Sequence, residues 1–218
     1  MTTHAPITDL DAEQRHSADV IASEAKRAAR IVNNLLTFAR QHKAEKVFAD
    51  VNRVLEDTLE LRAYELNVRG IKIDREFSEQ PLKTMLDVYQ LQQVVLNLVT
   101  NAEHAMADVK AKNHRLAVRR RLVGGCARIE IEDTGPGIPP EALERIFNPF
   151  FTTKPTGSGT GLGLSISLGI VSEHGGRIWA EYATRGGARF TIELPIVDGA
   201  DRPEPLSLPA SSPQPGLR

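Results

Sequence analysis

Glycine stands at every second position from Gly157 to Gly163. This spacing frees the backbone to turn several N–H groups toward one anion, and the apolar helical pattern that follows would add the amides and dipole of a helix N-terminus. No Lys-Ser/Thr pair follows as in a P-loop, and no G-x-G-x-x-G fingerprint fits the segment. The alternative is a flexible linker, but a linker would not lead directly into an apolar helix. The spacing therefore predicts a loop that binds phosphate.

A second glycine cluster, Asp133-Thr-Gly-Pro-Gly-Ile138, follows a short alternating strand. A carboxylate at the end of a strand can accept a hydrogen bond from an exocyclic amine, and glycines beside it let a flat ring approach the backbone. The same pattern also occurs in turns that have only a structural role. Taken alone, this cluster favours the structural turn.

Three polar residues share one stripe of a predicted helix, because Asn97, Asn101 and His104 are spaced i, i+4, i+7. Amide oxygens can bind a hard cation while phosphates neutralise its charge, which suits magnesium bound to a nucleotide. His104 could donate a hydrogen bond to a phosphate. For any one of these residues alone, a solvated helix face is the simpler interpretation.

Strands and helices alternate around these clusters, and hairpins join several of the strands. The pattern predicts an α+β fold in which one sheet packs against helices as a two-layer sandwich. The predicted strands are Val47–Val51, Ile71–Phe77, Leu82–Leu86, Leu116–Val123, Ala127–Ile131, Ile178–Tyr182 and Arg189–Leu194. The predicted helices are Asn52–Asn67, 88–109, Pro139–Phe147 and Gly161–Gly175, with Asn52 and Asp87 as N-caps and a loop over Asn148–Gly159.

One long helix is predicted ahead of this domain, from about Arg15 to Gln41. Its apolar positions follow a heptad-like spacing that calls for a partner helix, although an amphipathic helix lying on the domain is the alternative. These positions are Ile21, Ala25, Ala28, Val32, Leu35 and Ala39. The predicted division is a lead and helix over 1–45, the main domain over 46–197, and a proline-rich disordered tail over 198–218.

Composition excludes several classes of protein. The 218 residues carry 27 basic and 28 acidic side chains, so there is no basic excess for coating nucleic acid. No apolar run reaches the roughly 18 residues of a membrane span, and the N-terminus lacks the order of a signal peptide. Cys126 is the single cysteine, which excludes an intrachain disulfide and a cysteine-based zinc site. We therefore expect a cytoplasmic protein or fragment without membrane contact.

Taken together and in order, the clusters resemble the ATP-binding domain of sensor histidine kinases, which shares the Bergerat fold with gyrase, Hsp90 and MutL. The resemblance covers about Val47 to Pro195. The sequence segments Phe-Phe-Thr-Thr-Lys and Gly-Leu-Gly-Leu-Ser-Ile look most like those of the nitrogen-regulation class. The matching boxes are Asn97–Ala105, Asp133–Gly137, Phe147–Lys154, Gly157–Gly163 and Gly186-Gly187.

The resemblance implies a role for each position. Asp133 would bind the adenine amine, Asn101 would hold Mg2+, and His104 would contact phosphate. Lys154 and the amides of Gly159–Gly163 would hold the phosphates beneath a mobile lid over about Pro136–Thr160, with Phe150 and Phe151 anchoring the lid or packing in the core. The implied nucleotide-binding set is Asn97, Asn101, His104, Asp133, Gly135, Gly137, Lys154, Gly159, Thr160, Gly161, Leu162 and Gly163.

The resemblance also separates reaction types at Asn97. In the ATP-hydrolysing members of this family the position looks to be a glutamate, which takes a proton from the attacking water. An amide cannot accept that proton. Asn97 and Lys154 would thus serve phosphoryl transfer to another nucleophile rather than hydrolysis. The expected function is that of an ATP- and magnesium-dependent protein histidine kinase in two-component signalling.

A phosphoacceptor box is missing, because neither His4 nor His16 is followed by the expected acidic residue. The segment Ala25–Arg40 looks like the second helix of the dimerisation and phosphotransfer hairpin. The chain is therefore expected to be truncated, or else naturally short, and to phosphorylate a histidine outside itself. Expected partners are a histidine-bearing dimerisation domain, a response regulator receiver domain and a second copy paired through the N-terminal helix. The alternative is a nucleotide-sensing interaction module without transferase activity.

Overall fold

The computed structural model describes residues 11, 13–22, 25, 45–78, 80–107, 109, 113–154, 159–183 and 186–196. Its centre is a five-stranded sheet, which consists of β2 (Ile71–Phe77), β4 (His114–Val123), β5 (Cys126–Asp133), β6 (Arg177–Tyr182) and β7 (Ala188–Pro195). The strands lie in the order β2-β4-β5-β7-β6. β2 runs parallel to β4, and the other neighbours are antiparallel.

Helices form the second layer, and a small antiparallel sheet of two strands lies beside it. The helices are α1 (Val51–Val68), α2 (Val88–Ala107), α3 (Pro140–Leu143) and α4 (Gly163–Glu173). The small sheet consists of β1 (Val47–Asp50) and β3 (Lys83–Leu86). The predicted two-layer α+β sandwich is confirmed, together with both hairpins.

The large sheet has an apolar face and a charged face because side chains alternate along each strand. In β5 the buried positions are Ala127, Ile129, Ile131 and Asp133. Glu132 points to the opposite face, where Arg119 and Arg189 contact its carboxylate at 2.9 and 2.8 Å. The helices pack on the apolar face, and alternation places the Asp133 carboxylate on that same side, at the end of the strand.

The two predicted N-caps have different outcomes in the structure. Asp87 caps α2 as predicted, since its Oδ1 accepts the backbone N–H of Gln90 at 3.1 Å. Asn52 is not the cap of α1; Asp50 is, and its Oδ1 accepts the N–H of Asn52 at 3.0 Å. Asn52 instead accepts a hydrogen bond from the buried Arg120 through Oδ1 at 2.6 Å. The helix predicted over 139–147 is shorter in the structure. Only Pro140–Leu143 is helical, and turns follow.

Only part of the predicted N-terminal helix lies within the described residues. Residues 13–22 and 25 are helical, and Ile21 is exposed there. Ala25, the next position of the heptad-like seam, is exposed as well. The seam positions from Ala28 onward and the proline-rich tail lie outside the described residues. Among the helices of the described part, none is both long and apolar enough to cross a membrane.

Candidate functional site

A cavity of about 440 Å³ lies between α2, the apolar face of the sheet and the segment that leads to α4. α2 supplies Asn97, Asn101 and His104, which share one stripe as predicted. Asp133 enters from the end of β5, and Lys154 from the segment before α4. The remaining lining residues are Leu96, Thr100, Ala105, Gly137, Ile138, Pro139, Ile146, Phe151, Thr152, Thr153, Gly159, Thr160, Gly161, Gly163, Leu164, Ala188 and Phe190.

The Asp133 carboxylate is held by the backbone on one of its two oxygens. Oδ1 accepts the N–H of Gly135 at 2.8 Å and the N–H of Ala188 at 3.3 Å. Burial raises the pKa of Asp133, and these two hydrogen bonds oppose the shift. The side chain is only 3% exposed, yet it borders the cavity. Oδ2 makes no hydrogen bond with a described residue, so it can accept a donor that enters the cavity.

Lys154 joins the two polar residues on the last turns of α2. Its Nζ donates to Asn101 Oδ1 at 3.1 Å and lies 3.1 Å from His104 Nδ1. Burial, followed by the charge of Lys154, lowers the pKa of His104. The lowered pKa favours the neutral ring, in which Nδ1 accepts from the Lys154 ammonium group. Asn101 presents its side-chain oxygen to a cationic group. Oxygen is also the ligand atom that a hard metal ion requires.

No cluster of three His, Cys, Asp or Glu side chains suited to a metal occurs within the described ranges. A cation beside Asn101 would thus meet a neutral amide oxygen and no group of carboxylates. Such a site fits a magnesium ion that arrives with phosphate oxygens, because the phosphates then supply the negative charge.

Asn97 links α2 to the start of α4. Its Nδ2 donates to the carbonyl oxygen of Gly163 at 3.2 Å and lies 3.4 Å from Ser167 Oγ. Ser167 in turn donates to the same carbonyl at 2.9 Å. The amide of Asn97 therefore fixes the first turn of the helix whose N-terminus borders the cavity.

Within the segment that joins β5 to α4, a backbone hydrogen bond closes a loop between Phe150 and Gly161. The N–H of Phe150 donates to the carbonyl oxygen of Gly161 at 2.9 Å, which brings the two ends of the loop together. Phe151 packs against the core, and the Arg145 guanidinium lies 4.8 Å from its ring centroid. Phe150 is 67% exposed, so core packing is the wrong interpretation for that residue. Residues 155–158, which include Gly157 of the predicted phosphate loop, lie outside the described residues.

Ten of the twelve predicted nucleotide-binding residues line the cavity, and Gly135 and Leu162 do not. The N–H of Gly135 is taken by Asp133, and Leu162 is buried directly before α4. Sequence patterns missed Ala188 and Phe190, which form the sheet side of the cavity. The pairing of β7 with β5 is the signal that could have found them, since it places Phe190 opposite Ile131.

Comparison with known proteins identifies the family of the chain. Residues 86–198 match the family described as histidine kinase-, DNA gyrase B-, and HSP90-like ATPase. The sensor histidine kinase ZraS of Klebsiella oxytoca is 37% identical over 192 residues, which cover 87% of this chain and 40% of that protein. The chain therefore spans well under half the length of this curated relative.

Solved structures give the same assignment. The nucleotide-free catalytic domain of histidine kinase ThkA has a TM-score of 0.62 and 33% identity, covering 70% of this chain and 96% of that one. Full-length ShkA in complex with AMPPNP has a TM-score of 0.67 and 28% identity, covering 86% of this chain and 40% of that one. The chain belongs to the histidine kinase-, DNA gyrase B- and HSP90-like ATPase family and contains the ATP-binding catalytic domain of a sensor histidine kinase.

Proposed function

We propose that the domain binds ATP together with Mg2+ and transfers the γ-phosphoryl group to a histidine that this chain does not carry. The observation that carries the proposal is one cavity lined both by Asp133 and by the Lys154–Asn101 pair. A carboxylate with one oxygen available and a cation beside an amide oxygen are complementary to the two ends of a nucleotide. The AMPPNP that ShkA binds is an ATP analogue, which supports the same ligand class.

The adenine end is assigned to Asp133. Its Oδ1 is engaged by Gly135 and Ala188, so Oδ2 accepts the exocyclic amine of adenine. Ala105, Ile138 and Phe190 border the same cavity and offer apolar contacts to the ring. Gly137 borders the cavity beside these apolar residues.

The phosphate end is assigned to Lys154, His104 and the residues that lead into α4. Lys154 and the backbone N–H groups of Gly159, Thr160, Gly161, Leu162 and Gly163 bind the phosphate oxygens, aided by the positive end of the α4 dipole. Asn101 Oδ1 would hold Mg2+ once the Lys154 Nζ that donates to it turns to a phosphate oxygen. His104, which lies beside the same Nζ, would donate to phosphate through Nε2–H. When bound, the ion neutralises phosphate charge.

Transfer is favoured over hydrolysis because of Asn97. Its Nδ2 already donates to Gly163, and an amide offers no base that could take a proton from water. The incoming histidine nitrogen forms the new bond to the γ-phosphorus, and the bond to the β-γ bridging oxygen breaks, releasing ADP. Lys154 stabilises the charge that develops during this step.

Two further protein domains take part in the reaction. The phosphoacceptor belongs to a dimerisation domain, and a response regulator receiver domain takes the phosphoryl group onward. A second copy pairs through the N-terminal helix, and the protein acts in the cytoplasm, with its main domain over 46–197. Resemblance to the nitrogen-regulation class stays a prediction.

A trans-phosphorylation experiment tests the proposal. The chain is mixed with a full-length sensor histidine kinase of the ZraS type whose own nucleotide site is disabled, and ATP labelled at the γ-phosphate is added. We expect acid-labile label on the acceptor histidine, less label with Lys154→Met, and unchanged label with Lys83→Met at an exposed site on β3. Binding of ATP without any transfer would favour the nucleotide-sensing module instead.

A further inference from the structure

We infer that Tyr182 is a positioning residue of the nucleotide site, holding the turn after Asp133 in the geometry that adenine binding requires. Tyr182 is the last residue of β6 and belongs to none of the sequence boxes. It also does not line the cavity, so any effect it has on the nucleotide passes through its neighbours. The inference rests on the proposed function, because it concerns the same site.

The ring of Tyr182 lies directly against Gly137. A Cβ atom added at Gly137 would fall 2.4 Å from Tyr182 Cε2 and 3.0 Å from the carbonyl oxygen of Gly187. Gly137 has a φ of +82°, a conformation that favours glycine. The turn is therefore confined between an aromatic ring and the backbone of the β6–β7 hairpin.

The hairpin that carries Tyr182 also reaches Asp133 itself. Tyr182 is paired with Ala188 across the two strands, and the N–H of Ala188 donates to Asp133 Oδ1. A Cβ atom at Gly187 would fall 2.0 Å from the carbonyl oxygen of Asp133. The end of this hairpin thus contacts the carboxylate, its backbone and the turn that follows.

The charged face of the sheet fixes the same hairpin end from the other side. Arg189 contacts Glu181 through Nη1 at 3.0 Å and Glu132 through Nε at 2.8 Å. These residues immediately neighbour Tyr182, Ala188 and Asp133 in sequence. The end of the β6–β7 hairpin, which holds the Tyr182 ring against Gly137, is consequently stabilised by contacts on both faces of the sheet.

Exposure argues that the ring serves position more than stability. Tyr182 is 60% exposed, so removing its side chain uncovers little of the core. Its contact with Gly137 lies where the proposed lid begins, and a loosened turn there would displace both Asp133 Oδ2 and the lid. A displaced acceptor weakens binding without altering the chemistry of phosphoryl transfer.

The first experiment measures AMPPNP binding to the full chain in the presence of Mg2+ by calorimetry. For Tyr182→Ala we expect the Kd to rise about five- to tenfold, because the hydrogen bond from adenine to Asp133 is weakened and not lost. Tyr182→Phe keeps the ring and should bind as the wild type does. Tyr64→Ala removes a 79% exposed tyrosine of α1 and serves as the matched control.

Two readouts separate positioning from a general loss of structure. In the trans-phosphorylation assay, Tyr182→Ala should raise KM for ATP while kcat stays unchanged. Hydrogen exchange should increase over residues 134–139 while the midpoint of thermal unfolding stays close to that of Tyr64→Ala. A lowered kcat or a general increase in exchange would overturn the assignment.

A double-mutant cycle tests the contact itself. Gly137→Ala should weaken AMPPNP binding strongly in the wild-type background, because the added methyl group meets the ring of Tyr182. In the Tyr182→Ala background the same change should cost less, so that the two effects are not additive. Additive effects, or equal binding by wild type and Tyr182→Ala, would refute the role of Tyr182 alone. Failure of the wild type to bind AMPPNP would instead refute the proposed function.

Discussion

The side-chain Nδ2 of Asn97 donates a hydrogen bond to the carbonyl oxygen of Gly163 at 3.2 Å. This contact joins the middle of α2 to the first residue of α4, the two helices that frame the phosphate end of the cavity. It also gives Asn97 a task that a carboxylate could not perform, since a carboxylate has no proton to donate.

Asn97→Asp tests this contact with a side chain of the same size. A carboxylate facing a carbonyl oxygen should lower the free energy of unfolding by about 1–3 kcal/mol and weaken ATP binding. Chemical denaturation and calorimetry measure the two effects. The control is Asn113→Asp at an exposed position before β4, which should change neither. Wild-type stability in Asn97→Asp would show that the bond to Gly163 contributes nothing.

Asp133→Asn tests the adenine assignment. Asparagine can keep Oδ1 for Gly135 and Ala188 but replaces Oδ2 with a donor, which would face the exocyclic amine of adenine. ATP binding should weaken by about 1.5–3 kcal/mol, the contribution of a hydrogen bond to a charged group. Because burial raises the pKa of Asp133, wild-type affinity should start to fall on acidification before an ordinary aspartate would protonate. Unchanged calorimetric affinity would remove Asp133 from the adenine site.

Lys154→Met tests the phosphate assignment by comparing ligands. Without its charge the site should lose about 1.5–3 kcal/mol of ATP binding, while adenosine, which has no phosphate, should bind as before. Lys83→Met removes a charge from exposed β3 and should leave both affinities intact. An equal loss for adenosine and ATP would mean that Lys154 shapes the cavity and does not contact phosphate.

Glu132→Gln tests the charged face of the sheet. Burial alone would raise the pKa of Glu132, but hydrogen bonds and charges from Arg119 and Arg189 outweigh it and lower that pKa. The resulting stability is present above the unfolded pKa of about 4.3 and disappears as the pH falls through the lower folded pKa. The variant should therefore lose about 1.5–3 kcal/mol of unfolding free energy at pH 7 and depend less on pH below about 4.

Denaturation curves between pH 3 and 7 measure this difference. The control is Glu130→Gln, on the same face of β5, because Glu130 makes no ion pair with a described residue. The interpretation fails if both variants follow the same pH dependence.

The chain alone should hydrolyse ATP very slowly and should not label itself from γ-labelled ATP. Asn97 supplies no base for water, and neither His4 nor His16 stands in an acceptor motif. Asn97→Glu should raise hydrolysis if water reaches the γ-phosphate, by less than the roughly 10²–10⁴-fold of a well-placed base, since it also loses the bond to Gly163. Acid-labile label mapped to His16 would show that the N-terminal helix carries an acceptor.

Local patterns predicted the parts of the site that a short segment determines. The predicted strand Ala127–Ile131 indicated that Asp133 would lie close to the end of a strand, and helical spacing brought Asn97, Asn101 and His104 onto one stripe. The glycine spacing indicated the loop before α4 because backbone freedom is a property of the residues themselves.

Contacts between distant segments were beyond those patterns. The parallel pairing of β2 with β4 joins strands that are separated in the chain by β3 and α2, and nothing in either strand specifies its neighbour. Asp50 caps α1 in place of Asn52, whose side-chain oxygen accepts a hydrogen bond from the distant, buried Arg120. Tyr182 has no motif, and its contact with Gly137 arises only when the hairpin closes on β5.

The position of β1, α1 and β2 sets the size of the unit that can fold. The family match begins at residue 86, yet Val51, Leu55 and Leu59 are fully buried in the core that α2 completes. A fragment cut at residue 86 would also lose β2, leaving β4 with an unpaired edge that invites aggregation. Lys46 adds a contact from the preceding segment, since its Nζ donates to the carbonyl oxygen of Glu173 at 2.7 Å. A fragment that is expected to unfold cooperatively must therefore include the chain from Glu45 onward.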